Sequence, residues 1–342
     1  MNIKKCLKLG VIAGVIGLAA GAAQAQQKLL LSTFFPTMHP LYDKVLVPWA
    51  EAVREQTDGR VVVEFAASSL APPPVQFDMV QRGIADIAVQ SPGMMPEKLR
   101  PDVITELPGQ GGSSVNVSKA LWRTHQAHFD KDDRYRGVQL LSLFAFPPQS
   151  FFCVKPCPTT LDEMSGLRMA TLPSTAARQY GKVTSGVVAG PMARFFELAS
   201  KGTIDAYGSA TALDVVGFNL ASSTDGALSF DNLSTAGSFA LVMNPRAWAR
   251  LSPQDQKIIA GLGGEAFAER LSALDEAEAG AWKKLQAEGV ERHQASPEMN
   301  AQLREAFAFL DDEWTAAMKE RGIDGPAALG FYREQLRELA AQ

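Results

Sequence analysis

Residues 81–89 read QRGIADIAV, and residues 200–208 read SKGTIDAYG. Each phrase holds a basic residue, a glycine, two spacers, an aspartate and then strand-forming residues. In the first, Gly83 stops a short helix through a left-handed cap, and Ile84–Gln90 runs into a strand. Upstream, Lys28–Thr33 reads as a buried strand and Leu41–Gln56 carries apolar residues at helical spacing. Asp58-Gly59 supplies a turn, Arg60–Phe65 a β-branched strand, and Pro72-Pro73-Pro74 the approach to a helix ending at Arg82. The order is β-α-β-α-β, the pattern of a parallel sheet covered by helices. The second phrase predicts a second α/β lobe, with strands over Gly166–Thr171, Val187–Ala189 and Asp205–Tyr207.

From Pro253 onward the sequence turns helical and highly charged. One helix is expected from Pro253 to about Gln286, then a strand near Val290–His293. Ser296-Pro297 starts a further helix expected to reach Arg321, and Pro326 starts the last.

The first 25 residues read as an export leader. Lys4, Lys5 and Lys8 precede an apolar run from Leu9 to Ala20, and Ala23-Gln24-Ala25 supplies a small-x-small cleavage site. The run is too short to span a bilayer comfortably, and Cys6 lies ahead of it, in the wrong place for a lipid attachment. A mature chain starting at Gln26, exported to the periplasm, is expected. Losing those three lysines and no acid takes the net charge from −4 to −7, which argues against nucleic-acid or anionic-membrane partners. Of the cysteines, Cys153 and Cys157 remain, and a C-x3-C pair in an oxidising compartment could close a small disulfide loop.

Catalytic signatures are lacking: there is no G-x-S-x-G, H-E-x-x-H, P-loop or dinucleotide fingerprint. His125 and His128 share a predicted helix, but no third metal ligand accompanies them at a recognisable spacing. Neither a metal nor a cofactor is called for. Binding is better supported, because ligands of open α/β sheets sit beyond the carboxyl ends of the strands. Those ends carry Thr33, Phe34, Phe35, His39 and Ser91 in the first lobe. In the second they carry Phe146, Phe152, Ala170, Thr171, Ser209 and Thr211, with Met192 and Asp214 completing the candidate lining. Aromatic walls with a few polar groups are the usual anatomy of a small-molecule site. Each phenylalanine could equally be core, and of Phe151 and Phe152 one must be, since they alternate.

Five phrases, in this order and spacing, carry a family resemblance: TFFPTMHPLY with WAEAVREQTDGRVVVEF; VQRGIADIAV; LDEMSGLRMATLPS; FFELASKGTIDAYGSA; and ALVMNPRAWARLSPQDQKII. The chain resembles the extracytoplasmic solute-binding proteins of TRAP (tripartite ATP-independent periplasmic) transporters. The resemblance implies a two-lobed α/β clamp of mixed sheets flanked by helices, with a long lobe-bridging helix and a helical C-terminus. Lobe I is expected over residues 26–147 with 237–276 returning to it, and lobe II over 148–236 with 277–342 returning to it or bracing it. The implied function is capture of a small organic solute by a monomer, and delivery to the small and large membrane subunits of a sodium-driven importer. Family members usually carry an arginine that grips a carboxylate where this chain has Ala170, and an asparagine where it has Ser209. Arg168 is the nearest candidate replacement, with Arg178 and Arg194 behind it. Two alternatives stand beside this reading: an exported enzyme using His39 and Asp214, and a solute-binding protein of another importer class.

Overall fold

The structure, a computed structural model, describes residues 26–342, so the expected leader over residues 1–25 lies outside the described residues. Strands β1 (Gln27–Ser32), β2 (Val61–Phe65), β3 (Ile87–Gln90) and β4 (Gln139–Ala145) come first along the chain. A second block holds β5 (Ser150–Cys153), β6 (Arg168–Thr171), β7 (Gly186–Ala189), β8 (Ala206–Ala210) and β9 (Gly226–Ser229). The chain then returns to the first block with β10 (Ser238–Met243) and to the second with β11 (Glu291–Gln294). Two open sheets result, ordered β2-β1-β3-β10-β4 and β11-β9-β5-β8-β6-β7. In the first, β1 runs parallel to β2 and β3, while β10 is antiparallel to β3 and β4. In the second, β6 runs parallel to β7 and β8, while β5 is antiparallel to β8 and β9.

The repeated phrase does the same work in both sheets. Asp86 donates its N–H to the Leu30 carbonyl at 2.9 Å, and its Oδ2 accepts the Leu30 N–H at 2.9 Å. Asp205 donates to the Arg168 carbonyl at 2.7 Å, and its Oδ2 accepts the Arg168 N–H at 3.0 Å. Each aspartate thus locks the entry of its strand to a neighbour with a reciprocal pair of bonds. The glycine three residues earlier turns the chain, with φ of 79° at Gly83 and 64° at Gly202, where a side chain would be strained.

Helices cover both faces of each sheet. Trp49 and Val53 of α1 (Val47–Gln56) pack with Leu31, Val63 and Ile87 on one face of the first sheet. Against Ala88, Leu143 and Val242 on the other lie α2 (Gln76–Arg82) and α3 (Ser114–Thr124). In the second sheet, α4 (Leu161–Ser165) and α5 (Thr175–Tyr180) pack on the face of Phe151 and Met169. The opposite face, with Phe152, Ala170 and Tyr207, is covered by α6 (Phe195–Ser200) and α7 (Ala212–Gly217).

After α8 (Pro245–Ala249), the single helix expected over 253–286 is three: α9 (Pro253–Gly261), α10 (Gly264–Glu269) and α11 (Ser272–Ala287). The first break falls at glycines. Gly264 has φ of 53°, and a Cβ there would stand 2.6 Å from the Trp122 ring of α3. Only α11 reaches both cores: Leu274 joins that of the first sheet, and Ala281 and Leu285 that of the second. The next helix breaks at Ala308 into α12 (Pro297–Phe307) and α13 (Phe309–Glu320). The reason is that the chain changes sheets there: Phe307 packs on the second, Leu310 and Trp314 on the first. The final helix, α14 (Gly325–Ala340), stays on the first sheet through Leu329 and Tyr332.

Cys153 and Cys157 are disulfide-bonded, with Cα atoms 5.3 Å apart. His125 serves packing: its Nδ1 lies 2.7 Å from the Arg134 guanidinium, and burial, reinforced by Arg134, lowers its pKa to about 4. No group of three or more candidate metal ligands forms among the described residues. Arg134 itself donates to both Asp102 oxygens at 3.0 and 2.9 Å, with both side chains fully buried, and Tyr135 donates its hydroxyl to the same carboxylate at 2.8 Å. Asp102→Ala leaves that buried guanidinium without its bidentate partner, with only Asp132 at 3.5 Å remaining, and should cost about 3 kcal/mol of stability. A lower urea midpoint with an unchanged slope is the expected readout.

Candidate solute-binding site

The carboxyl ends of β1 and β3 in one sheet, and of β6 and β8 in the other, are where the chemistry collects. Beyond β1, Thr33 turns the chain by accepting the Phe35 N–H at 3.2 Å. This sets Phe34 and Phe35 side by side, with ring centroids 4.5 Å apart. Phe35 then meets His39 at 4.7 Å and Phe146 at 5.3 Å, and His39 stacks on Phe146 at 5.6 Å. Phe239, at the start of β10, completes the wall 4.3 Å from Phe146. Phe34, Phe35 and Phe239 stay half-buried, so the wall keeps an open side.

His39 is the polar member of this wall. Its Nδ1 accepts the Leu41 N–H at 3.1 Å, so the neutral ring carries its proton on Nε2. Burial lowers its pKa to about 4 against the opposing pull of Asp43, which keeps the ring neutral at ordinary pH. Nε2 has no hydrogen-bond partner among the described residues. Ser91 sits half-buried after β3, its carbonyl accepting the Gln90 side-chain amide at 2.8 Å.

In the second sheet, Thr171 ends β6 fully buried and Ser209 lies near the end of β8, 3% exposed. Both hydroxyls lack a partner among the described residues. Ser209 also holds a φ of 60°, a conformation a serine adopts only under constraint. The constraint comes from the chain crossing between the sheets. Gln149 donates to the Ser209 carbonyl at 3.3 Å and accepts from the Thr235 hydroxyl at 3.0 Å. Gln149 and Phe239 were not singled out from sequence, because nothing local marks a residue whose role comes from the crossing.

Other expected residues are placed differently. Phe152 is fully buried, stacked between Tyr207 at 5.3 Å and Trp282 at 5.6 Å. Ala170 and Met192 belong to the same core cluster. Thr211 and Asp214 are committed to each other. Asp214 Oδ2 accepts both the N–H and the hydroxyl of Thr211 at 2.8 Å, capping α7, and burial raises its pKa. Arg168 stands at the opposite end of β6 from Thr171. Its guanidinium grips both Asp205 oxygens at 2.9 Å and the Gly202 carbonyl at 2.9 Å, and holds the aspartate far below the usual carboxylate range. Arg178 is paired with Glu313, and Arg194 is exposed ahead of α6.

Two cavities lie outside the aromatic wall. One of about 350 Å³ is lined by Gln110, Asn232, Arg304 and Arg333 among others, and one of about 240 Å³ by Gln149, Tyr180, Thr235 and Arg292 among others. Neither is lined by Phe35, His39, Thr171 or Ser209. Volume and chemistry thus disagree: the first cavity also holds an unpartnered group, Gln110 Oε1, but the strand ends join idle hydroxyls to an aromatic wall at the place where open α/β sheets bind ligands, and are the better candidate.

Residues 31–317 match the model of the bacterial extracellular solute-binding protein family 7. The chain is 33% identical over 336 residues, 98% of each chain, to the outer membrane transporter protein TsaT of Comamonas testosteroni. Its structure is similar to that of a TRAP periplasmic solute-binding protein from Bordetella bronchiseptica with bound (R)- and (S)-mandelate. The TM-score is 0.85 at 30% identity, over 91% of this chain and 99% of that one. A TRAP solute-binding protein from Rhodoferax ferrireducens with copurified benzoate shares the fold, with a TM-score of 0.81 at 22% identity over 92% of this chain and 98% of that one.

The idle hydroxyls give a test with two readouts. Thr171→Val and Ser209→Ala remove buried groups that bond to nothing among the described residues, so stability should hold or rise by about 1 kcal/mol. Solute affinity should fall in both variants, measured by calorimetry on the same preparations.

Proposed function

The chain belongs to family 7 of the bacterial extracellular solute-binding proteins, and from that premise we propose that the solute it captures is a small aromatic carboxylate. It is a periplasmic solute-binding receptor of a TRAP transporter, a binder of small organic acids and not an enzyme. Both sheets are open at their edges, β2 and β4 in one and β11 and β7 in the other, whereas a strand-built membrane span needs a closed barrel. The finer assignments are our reading. Residues 1–25 are the leader, and a small and a large membrane subunit take delivery of the solute. Residues 26–147 with 237–276 form one lobe, and 148–236 with 277–342 form the other, its last helices reaching across to brace the first.

The observation that carries the solute class is the wall of Phe34, Phe35, Phe146, Phe239 and His39 at the exit of β1. An aryl ring lies against such a wall through offset or edge-on contacts, each worth about 0.5–1.5 kcal/mol beyond its area. The acid group would then meet neutral donors: His39 Nε2, Thr171 Oγ1 and Ser209 Oγ. The Bordetella protein, at 30% identity, holds an aryl carboxylate, which supports the same class here.

Thermal unfolding with (R)-mandelate, (S)-mandelate, benzoate and succinate separates the classes. An aryl carboxylate at 100 times its Kd should add about 2.7 kcal/mol, and succinate nothing. Stabilisation by succinate alone would remove the aromatic reading while leaving the receptor intact.

A further inference from the structure

Glu106 ends the short helical turn Arg100–Glu106 on the first sheet. Its side chain is nearly buried, and it forms no ion pair among the described residues. One oxygen accepts the N–H of Thr175, the first residue of α5 on the second sheet, at 3.4 Å. The turn Pro92–Met94 closes over the other oxygen, so that a Cβ on Gly93 would stand 2.5 Å from it. The same helix makes a second link: Arg178 pairs with Glu313 of α13, and Arg178 and Lys182 lie 6.0 and 5.1 Å from the Phe309 ring.

Most other ties between the sheets run through the crossing chain. Phe146 bonds to Gly237 at 3.0 Å, Gln149 to Thr235 at 2.8 Å and Ala236 to Thr105 at 2.9 Å. Those bonds hold the crossing segments to one another and to Thr105. The contact of Glu106 with Thr175 instead joins a turn packed on the first sheet to a helix packed on the second, so on the two-lobed reading opening the clamp would pull them apart. We propose that Glu106 is a latch residue: it is shut against the start of α5 only when the lobes close, and closure brings a proton onto its carboxylate. This rests on the reading of the chain as a two-lobed receptor.

Burial raises the Glu106 carboxyl to about 7, against the opposing effects of the Thr175 N–H and hydroxyl and of Arg100. Arg100, on its own turn, makes no ion pair among the described residues and its Nε is buried without a partner; the remaining charges around Glu106 are occupied. Asp102 on its own turn is held by Arg134, Arg178 on α5 by Glu313, and the Pro92–Met94 turn carries no charged residue. In an open form the carboxyl meets water and titrates near its ordinary value of about 4.3. The closed form therefore binds more protons between those two values. Closure is favoured as pH falls from above 7, and the advantage is complete once pH is below the open-form value.

The test measures mandelate affinity and, without ligand, the radius of gyration by X-ray scattering, at pH 6 and pH 8. Mandelate stays ionised throughout, so a change reports on the protein. Wild type should bind about tenfold more tightly at pH 6 and be more compact there. Glu106→Gln, a neutral isostere, should show the same affinity at both pH values. Thr175→Pro, which suits the first position of a helix and removes both the N–H and the hydroxyl that oppose protonation of Glu106, should move the wild-type profile to higher pH and guards against a folding defect in the first variant. If mandelate fails to bind, the solute class is wrong and scattering alone decides the latch. A pH-independent wild type overturns the proposal. So does a slope that persists in Glu106→Gln and vanishes in Glu278→Gln, since Glu278 is the other carboxyl that burial raises to about 7.

Discussion

One helix holds the two halves of this molecule in register, and it does so with two carboxylates one turn apart. On α11, Asp275 accepts the Ser114 N–H at 2.7 Å, at the start of α3 on the first sheet. Glu278 accepts the N–H groups of Ala212 and Leu213 at 2.8 and 2.9 Å, at the start of α7 on the second. Both contacts satisfy helix N–H groups that have no partner within their own helix, at the helix end where an acidic side chain is favoured. Leu274 on one side and Ala281 and Leu285 on the other supply the apolar grip. Because α7 begins where β8 ends, fixing its start also fixes the strand exit at Ser209.

That arrangement explains how much of the fold could be read in advance. The phrase QRGIADIAV and its echo were legible because they are local devices: a glycine with positive φ, then an aspartate that bonds back to its neighbour strand. The parallel core of each sheet followed from them. The insertion of β10 between β3 and β4, and of β5 between β8 and β9, was not legible, because antiparallel partners from distant chain segments leave no spacing signal. The helix breaks at Gly264 and Ala308 were hidden for a similar reason. Charged amphipathic sequence runs on past both, and only contact with Trp122 in one case, and a change of sheet in the other, ends the helix.

Of the residues expected at the site, the aromatic ones come together, while among the polar ones Arg168, Thr211 and Asp214 are engaged elsewhere. Phe34, Phe35, His39 and Phe146 converge as their place after strand ends suggested. Arg168 illustrates the limit of the alternation rule. It shares a strand face with Ala170, as residues two apart must, yet it stands at the wrong end of the strand. The echo itself held the missing clue. If Asp86 locks a strand entry in the first sheet, Asp205 does so in the second, and an arginine beside it will be drawn to that carboxylate. Thr211 and Asp214 were likewise drawn into a helix cap, which their spacing of three permits.

The site we propose at the strand exits offers apolar contact area and neutral donors in place of a guanidinium. Dispensing with a buried charge partner forgoes about 2–5 kcal/mol of affinity for a carboxylate. Burying one face and edge of a phenyl ring, on the order of 100 Å² at about 25 cal/mol/Å², returns about 2.5 kcal/mol, and ring–ring contacts return about 1 more. The two sums are of similar size, so in the proposed site an aryl acid would lose little while an aliphatic acid would lose the anchor and gain nothing. Selectivity in such a site comes from what was removed as much as from what was added. Ala170 is consistent with that balance: it is fully buried in the cluster of Phe152 and Tyr207, so the position is filled by apolar core and offers no charge.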